Sequence, residues 1–119
     1  MAIIGRLTSS RFPYLPIQVQ VRQGLHDVEA LLDTGFDGDV VLPVGSILNG
    51  QLPDRYVPCE LADGSVIFAP FYRGNVQVGA LDSFPAAVVA MGDEPIVGRG
   101  VTDRFTVILD YGQRLIVEL

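Results

Sequence analysis

The chain has 119 residues, of which 49% are hydrophobic and 18% are charged. This length and composition predict a single domain, spanning residues 1–119, with enough apolar side chains to bury a core. Fourteen acidic residues stand against eight arginines, with no lysine, and give a formal net charge of −6. Such a balance argues against a nucleic-acid partner and against docking on an anionic membrane surface.

The cysteine content and the apolar stretches indicate the cellular compartment of the protein. Cys59 is the only cysteine, which excludes an intramolecular disulfide and is typical of a reducing compartment. The longest apolar run, residues 85–91, is much shorter than the about 20 residues that a spanning helix needs. Residues 1–11 lack the basic segment and apolar core of a secretory signal. We therefore expect a soluble, cytoplasmic protein.

Short β-prone segments separated by turn residues follow one another along the chain. Residues 17–22 alternate apolar and polar side chains, a pattern typical of a half-buried strand. A turn over residues 23–27, which contain Gly24, leads into a mostly apolar strand over residues 28–32. Further strands are predicted over residues 40–42, 56–61, 66–72, 83–90, 105–110 and 115–119.

The turns and the scarcity of helix indicate the fold class. Asp63 and Gly64 lie between two β-prone runs, a strong hairpin signal because glycine accepts the positive φ of tight hairpin turns. Residues 111–113 form a second tight turn, and helix is predicted only as single turns over residues 44–48 and 100–104. The chain is therefore predicted to be an all-β barrel or sandwich.

Several residues with reactive side chains are better explained by structural roles than by catalysis or metal binding. His26, the only histidine, falls in a predicted turn, and Cys59 is typical of a small buried hydrophobe. One histidine and one cysteine cannot close a zinc site. The acidic loop from residue 33 lacks calcium ligands at its third and twelfth positions, and residues 98–100 lack the third glycine of a dinucleotide loop. We expect no metal and no cofactor.

The most informative segment is VEALLDTGFDGDVVLP, residues 28–43. Two leucines lead directly into Asp33, Thr34 and Gly35. A carboxylate at the end of an apolar strand is costly unless it is hydrogen-bonded or functional, and loops at strand ends often carry chemistry. The tripeptide alone is equally compatible with an ordinary turn. A second segment, EPIVGRGV, residues 94–101, places an apolar pair before Gly-Arg and a possible helical turn.

Together, these features resemble the retropepsin-like aspartic proteases. LLDTG at residues 31–35, the hairpin at Asp63-Gly64 and IVGR at residues 96–99 occur in that family's order. DTGF, with the ELADGSV and MGDEPIVG segments, is similar to the small bacterial and archaeal members marked by DTGF. The resemblance extends from about residue 2 to residue 119. It implies a single-domain closed β-barrel with a flap hairpin and one short helix near the C-terminus.

The resemblance also implies an activity. Such proteins are aspartic endopeptidases, which hydrolyse peptide or protein substrates through a water molecule activated between two carboxylates, without a cofactor. Two carboxylates so close share one proton, because both cannot ionise at that distance. This chain has one Asp-Thr-Gly, so the second carboxylate must be Asp33 of the partner subunit. The expected active species is a homodimer.

The resemblance assigns roles to individual residues. Asp33 is the catalytic carboxylate, the Thr34 hydroxyl hydrogen-bonds across the dyad, and Gly35 lets the backbone approach the substrate. The residues implied to contact substrate are Phe36, Asp37, Ala62, Asp63 and Gly64. Those implied to support the site are Ile96, Val97, Gly98 and Arg99, with Arg99 in an ion pair with Asp37.

Two positions depart from the family's pattern. Phe36 stands where most relatives have a small residue, and its ring is expected to narrow the pocket beside the scissile bond. Gly100 stands where many relatives carry Asp or Asn, which removes one hydrogen-bond anchor of the short helix. Neither departure affects the dyad.

Alternatives remain for the dimer and for the function. In the family, terminal strands of two subunits interleave, and residues 1–4 and 115–119 are suitably β-prone and apolar. Alternatively, each terminus pairs within its own subunit, which leaves the Asp33 loops and flap tips as the contact. A non-catalytic dimeric peptide-binding module and, more remotely, a cysteine hydrolase using Cys59 and His26 are the competing functions.

Overall fold

In a computed structural model, the described part of the chain folds into strands and one short helix. The structure describes residues 2–7, 12–46 and 50–118, and for residues 2–7 it describes the backbone only. In the described parts, no helix has the length and hydropathy needed to cross a membrane. In chain order, the elements are β1 (Ala2–Leu7), β2 (Pro13–Val21), β3 (Gly24–Leu32), β4 (Val40–Leu42), β5 (Arg55–Glu60), β6 (Val66–Val78), β7 (Phe84–Ala90), β8 (Ile96–Val97), α1 (Arg99–Thr102), β9 (Thr106–Asp110) and β10 (Arg114–Glu118).

Six strands close a barrel, which confirms the predicted all-β architecture. Their order is β6-β7-β4-β8-β3-β2, and β2 pairs back onto β6 with Ile17 opposite Val78. The 13 residues of β6 make closure possible, because different parts of this strand pair with β5, β7 and β2. The short strand β8 lies between β3 and β4, parallel to β3 and antiparallel to β4.

Valine dominates the barrel interior. In β2, the side chains alternate between buried and more exposed positions, as the sequence predicts. β-Branched side chains suit this pleated, closely packed environment, and burying each one contributes about 1.5–3 kcal/mol. The fully buried side chains of the core include Leu15, Val19, Val21, Val40, Leu42, Val76, Val78, Val88, Val97 and Val101.

A second small sheet, β1-β10-β9, continues from the barrel through the pairing of β1 with β2. β1 is antiparallel to β10 of the same chain, with Ala2 opposite Glu118. Within this one chain, the terminal strands β1 and β10 therefore pair with each other. β9 forms the end of this sheet, and its Ile108 and Leu109 side chains are 37% and 56% exposed.

The turn predicted over residues 23–27 is placed too late in the sequence. The turn consists of Arg22 and Gln23, and β3 already begins at Gly24. Arg22 has a φ of 55°, a left-handed conformation that a residue with a Cβ rarely adopts, so the sequence carries no signal for it. His26 consequently lies within β3, half-buried and opposite Val19, and not in a solvated turn.

Other element boundaries differ where pairing overrides local preference. β6 extends past the predicted end at residue 72, because Gly74 and Asn75, weak strand formers, pair with both β2 and β7. Residues 44–46 form a turn rather than the start of a helix, and residues 47–49 lie outside the described residues. The helical turn predicted over residues 100–104 is present as α1, one residue earlier. Met1 and Leu119 also lie outside the described part.

Candidate active site

Asp33 directly follows β3, at a half-buried position. Its backbone N–H donates to the Val97 carbonyl at 3.0 Å, which continues the pairing of β3 with β8. Its Oδ1 accepts the Gly35 N–H at 2.8 Å. A Cβ on Gly35 would lie 3.2 Å from that oxygen, so a larger residue would crowd the carboxylate. The loop backbone thus fixes the orientation of the Asp33 side chain, whereas Thr34 is exposed beside it.

The two segments that the sequence singles out meet through their backbones. The N–H groups of Gly98, Arg99 and Gly100 donate to the carbonyls of residues 39, 36 and 38, at 2.9, 2.8 and 3.0 Å. The loop that follows Asp33 and the start of α1 therefore form one hydrogen-bonded unit. The support role that the resemblance implies for residues 96–99 stays a prediction.

Phe36 packs onto this unit. A Cβ on Gly98 would lie 2.5 Å from Phe36 Cδ2, and one on Gly38 would overlap the Phe36 ring at Cζ. The two glycines therefore leave the space that the ring occupies between the loops. This packing explains how a large residue is accommodated after Gly35. Its predicted contact with substrate stays a prediction.

The predicted ion pair between Asp37 and Arg99 is not formed in the described residues. Arg99 Nε instead lies 3.7 Å from Asp103 Oδ2, with both side chains more than half exposed. The reason is helical spacing, since residues four apart lie on the same side of a helical turn. An exposed pair of this kind contributes about 1 kcal/mol or less. Asp37 is itself exposed.

Asp39, at the end of the Asp33 loop, makes contacts that the sequence pattern does not predict. Its Oδ2 accepts the Ala87 N–H at 2.8 Å, which connects the end of the Asp33 loop to β7. A Cβ on Gly100 would overlap Asp39 Oδ1 and lie 2.9 Å from its Cγ. The one available signal was the glycine at position 100, where the resemblance leads one to expect Asp or Asn.

The hairpin predicted at Asp63-Gly64 is confirmed as the connection between β5 and β6. The Gly64 N–H donates to the Leu61 carbonyl at 2.9 Å, and Gly64 has a φ of 86°. This geometry is a tight turn followed by a left-handed glycine, which suits a three-residue hairpin loop. Ala62, Asp63 and Gly64 are exposed at the tip, as a flap would require.

The Asp63 carboxylate is held by Ser65. The Ser65 hydroxyl and backbone N–H both donate to Asp63 Oδ1, at 2.5 and 2.9 Å. These hydrogen bonds, the hydroxyl's first, lower the pKa of Asp63 below its ordinary value of 3.8. The tip of the hairpin therefore carries a negative charge through the mildly acidic range.

The strand order does not support a cysteine hydrolase that uses Cys59 and His26. His26 lies in β3 and Cys59 in β5, two strands that are not paired. Over residues 12–46 and 50–118, no group of three or more His, Cys, Asp or Glu side chains is placed to hold a metal ion.

The barrel and the joined loops at Asp33 and Gly98 define a retropepsin-like fold. The structure is similar to the crystal structure of a retropepsin-like aspartic protease from Rickettsia conorii, with a TM-score of 0.61. The match covers 98% of this chain and 89% of the other, at 16% sequence identity. No protein-family model and no curated protein matches the sequence. The similarity therefore establishes the fold.

Proposed function

We propose that the chain is an aspartic endopeptidase that acts as a homodimer, with one Asp33 from each subunit activating a water molecule. The observation that carries the proposal is the placement of Asp33, which ends an apolar strand of a retropepsin-like barrel and is oriented by the Gly35 N–H. The acidic composition and the lone cysteine favour a cytoplasmic enzyme without nucleic-acid or membrane partners.

In the proposed reaction, the two carboxylates share one proton and titrate as a unit. The ionised Asp33 takes a proton from water while the oxygen of that water bonds to the peptide carbonyl carbon. The protonated Asp33 gives its proton to the carbonyl oxygen, which yields a tetrahedral diol. The diol then collapses: the Asp33 that is now ionised takes a proton from one diol hydroxyl as the C=O bond re-forms, the C–N bond breaks, and the other Asp33 gives its proton to the leaving amine, which restores the one-proton dyad. Only water and the peptide are consumed.

The hairpin at residues 61–65 is the proposed flap. Its exposed tip, Ala62 to Gly64, would close over an extended peptide and exclude water from the reacting bond. Asp37 and Phe36 lie in the catalytic loop, from which they would line the same cleft. We propose peptide or protein segments as the substrate class.

The dimer contact in this proposal differs from interleaved termini, because β1 already pairs with β10 of the same chain. The remaining contacts are the Asp33 loops, the flap tips and the edge of β9. The edge suits self-association because it contains no Lys or Pro, and its one charge, Asp110, is paired with Arg114 at 2.8 Å. Antiparallel pairing of two β9 strands about Ile108 would form the isologous contact that a two-fold axis requires.

Incubation of the purified protein with an unbiased peptide library at several pH values tests the proposal. We expect cleavage that a hydroxyl-bearing peptide analogue inhibits and that thiol alkylation leaves unchanged. Peptides that bind without being cleaved would support the non-catalytic binding module instead. Cleavage abolished by alkylation of Cys59 would contradict the carboxylate mechanism.

A further inference from the structure

The carboxylate of Asp39 occupies the space into which a side chain at position 100 would project. A Cβ on Gly100 would overlap Asp39 Oδ1, while Asp39 Oδ2 is held by the Ala87 N–H at 2.8 Å. We propose that Asp39 is a positioning residue for the catalytic loop, and that its carboxylate holds the end of this loop to β7 through the space that Gly100 leaves open. The catalytic part of this inference rests on the proposed function.

The backbone explains why a carboxylate is needed at this point. β4 pairs with β7 from Val40 opposite Val88 onward, so Ala87 stands one residue before the ladder begins. The β4–β7 pairing therefore offers no backbone carbonyl to the Ala87 N–H. The Asp39 side chain supplies the acceptor instead. A partly buried N–H without an acceptor is costly, so the contact fixes where β4 starts relative to β7.

The position of Asp39 connects this contact to Asp33. The loop begins at Asp33, which is hydrogen-bonded to Val97, and ends at Asp39, whose carbonyl accepts the Gly98 N–H. Fixing residue 39 to β7 therefore fixes the far end of the loop that carries the carboxylate. Two carboxylates that share a proton across a two-fold axis tolerate little displacement, because reaction rates depend steeply on the placement of reacting groups.

The first test substitutes Asp39 and measures kcat and KM at a temperature where every variant is fully folded. We expect Asp39→Ala to lower kcat about tenfold to a hundredfold, with KM changed less than about twofold. Asp39→Asn keeps an oxygen that accepts the Ala87 N–H, so it should retain kcat within about threefold. Asp82→Ala, which removes an exposed carboxylate before β7, is the matched control and should leave both constants unchanged.

The second test moves the carboxylate from position 39 to position 100. Gly100→Asp alone places two carboxylates in one space, so it should lower both the thermal midpoint and kcat. The double variant Asp39→Ala with Gly100→Asp removes that conflict and should recover most of both losses. This rescue also tests the proposed role of Asp39 if the Asp39→Ala variant alone folds poorly.

The results separate failure of the inference from failure of the proposed function. Losses in the double variant equal to the sum of the single losses would overturn the inference, as would a fall confined to KM. Absence of cleavage by the wild-type protein would overturn the proposed function. In that case, comparison of the thermal midpoints of the single and double variants at positions 39 and 100 would still decide whether the Asp39 carboxylate anchors the loop.

Discussion

At the scale of single residues, Asp33 carries the proposed chemistry with little involvement in packing. Its side chain accepts one hydrogen bond from its own loop, and an asparagine in its place retains an oxygen for the Gly35 N–H. We therefore expect Asp33→Asn to lower kcat at least about a thousandfold, within the range attributed to acid–base catalysis, with the thermal midpoint nearly unchanged.

Peptide-cleavage kinetics and thermal melting check this prediction. Asp93→Asn, which alters an exposed acid in the turn before β8, is the matched control and should retain wild-type rates. An Asp33→Asn protein as active as the wild type would remove Asp33 from the mechanism.

The sequence identifies some of these residues and necessarily misses others. Asp33 and Gly35 are conspicuous because a carboxylate and a glycine follow an apolar strand directly. Asp39 is not conspicuous, because its partners lie 48 and 61 residues further along the chain and are brought near only by the closure of the barrel. The Asp37–Arg99 pair was predicted from the resemblance, and the nearer Asp103 engages Arg99 instead.

At the scale of elements, the hairpin between β5 and β6 depends on the charge of Asp63. Hydrogen bonds from Ser65 lower the pKa of Asp63 below 3.8, so the ionised form is favoured in the folded hairpin. The stabilisation of the turn is therefore present above pH 3.8, where the unfolded group is also ionised, and is lost as the pH falls through the lowered pKa. The hairpin turn should be intact at mildly acidic pH.

An NMR titration checks this prediction. The Ser65 amide signal should titrate with a midpoint below 3.8, and Ser65→Ala should raise the Asp63 midpoint because the hydroxyl donor is lost. A wild-type midpoint at or above 3.8 would contradict the assigned hydrogen bonds.

The strands illustrate where local sequence is sufficient. Alternation identifies the central part of β2, and Asp63-Gly64 identifies the hairpin, since both signals are local. β8 has only two residues and no alternation to detect, and it exists because β3 and β4 offer hydrogen bonds on both sides. The turn at Arg22 has no glycine or asparagine to mark it.

At the scale of the whole molecule, the proposed mechanism predicts a pH dependence. If one of the two Asp33 carboxylates must be protonated in the active form, kcat/KM should follow a bell-shaped curve with its maximum below neutrality. Measurement of initial rates from pH 3 to pH 9, with and without a chelator, checks this. Activity that rises above pH 8, or that the chelator removes, would contradict the mechanism.

The proposed homodimer leads to a second prediction for the whole molecule. If each subunit supplies one carboxylate, specific activity should fall on dilution below the dimer dissociation constant. An excess of Asp33→Asn protein should suppress wild-type activity, because mixed dimers lack one carboxylate. Sedimentation showing a fully active monomer would contradict both the dimer and the shared dyad.

The proposed β9 contact predicts that substitutions in this strand weaken the dimer. Leu109→Lys places a charge at an edge that pairs with its own copy, so the dimer dissociation constant should rise at least about tenfold. Leu25→Lys, at a leucine of similar exposure in β3, is the matched control and should leave dimerisation unchanged. Equal effects from both variants would exclude β9 from the interface.

The pairing of β1 with β10 has a consequence for folding kinetics. Ala2 lies opposite Glu118, so this ladder closes a loop of nearly the whole chain, at an entropic cost of about 4 kcal/mol. Contacts so distant in sequence are expected to form late, after the hairpins β2-β3 and β5-β6 have brought the barrel together. Until they form, β9 and β10 remain a detached hairpin. The β9 edge through which we propose that two copies meet is therefore positioned beside the barrel only late in folding, so two subunits can align their Asp33 loops only after that step.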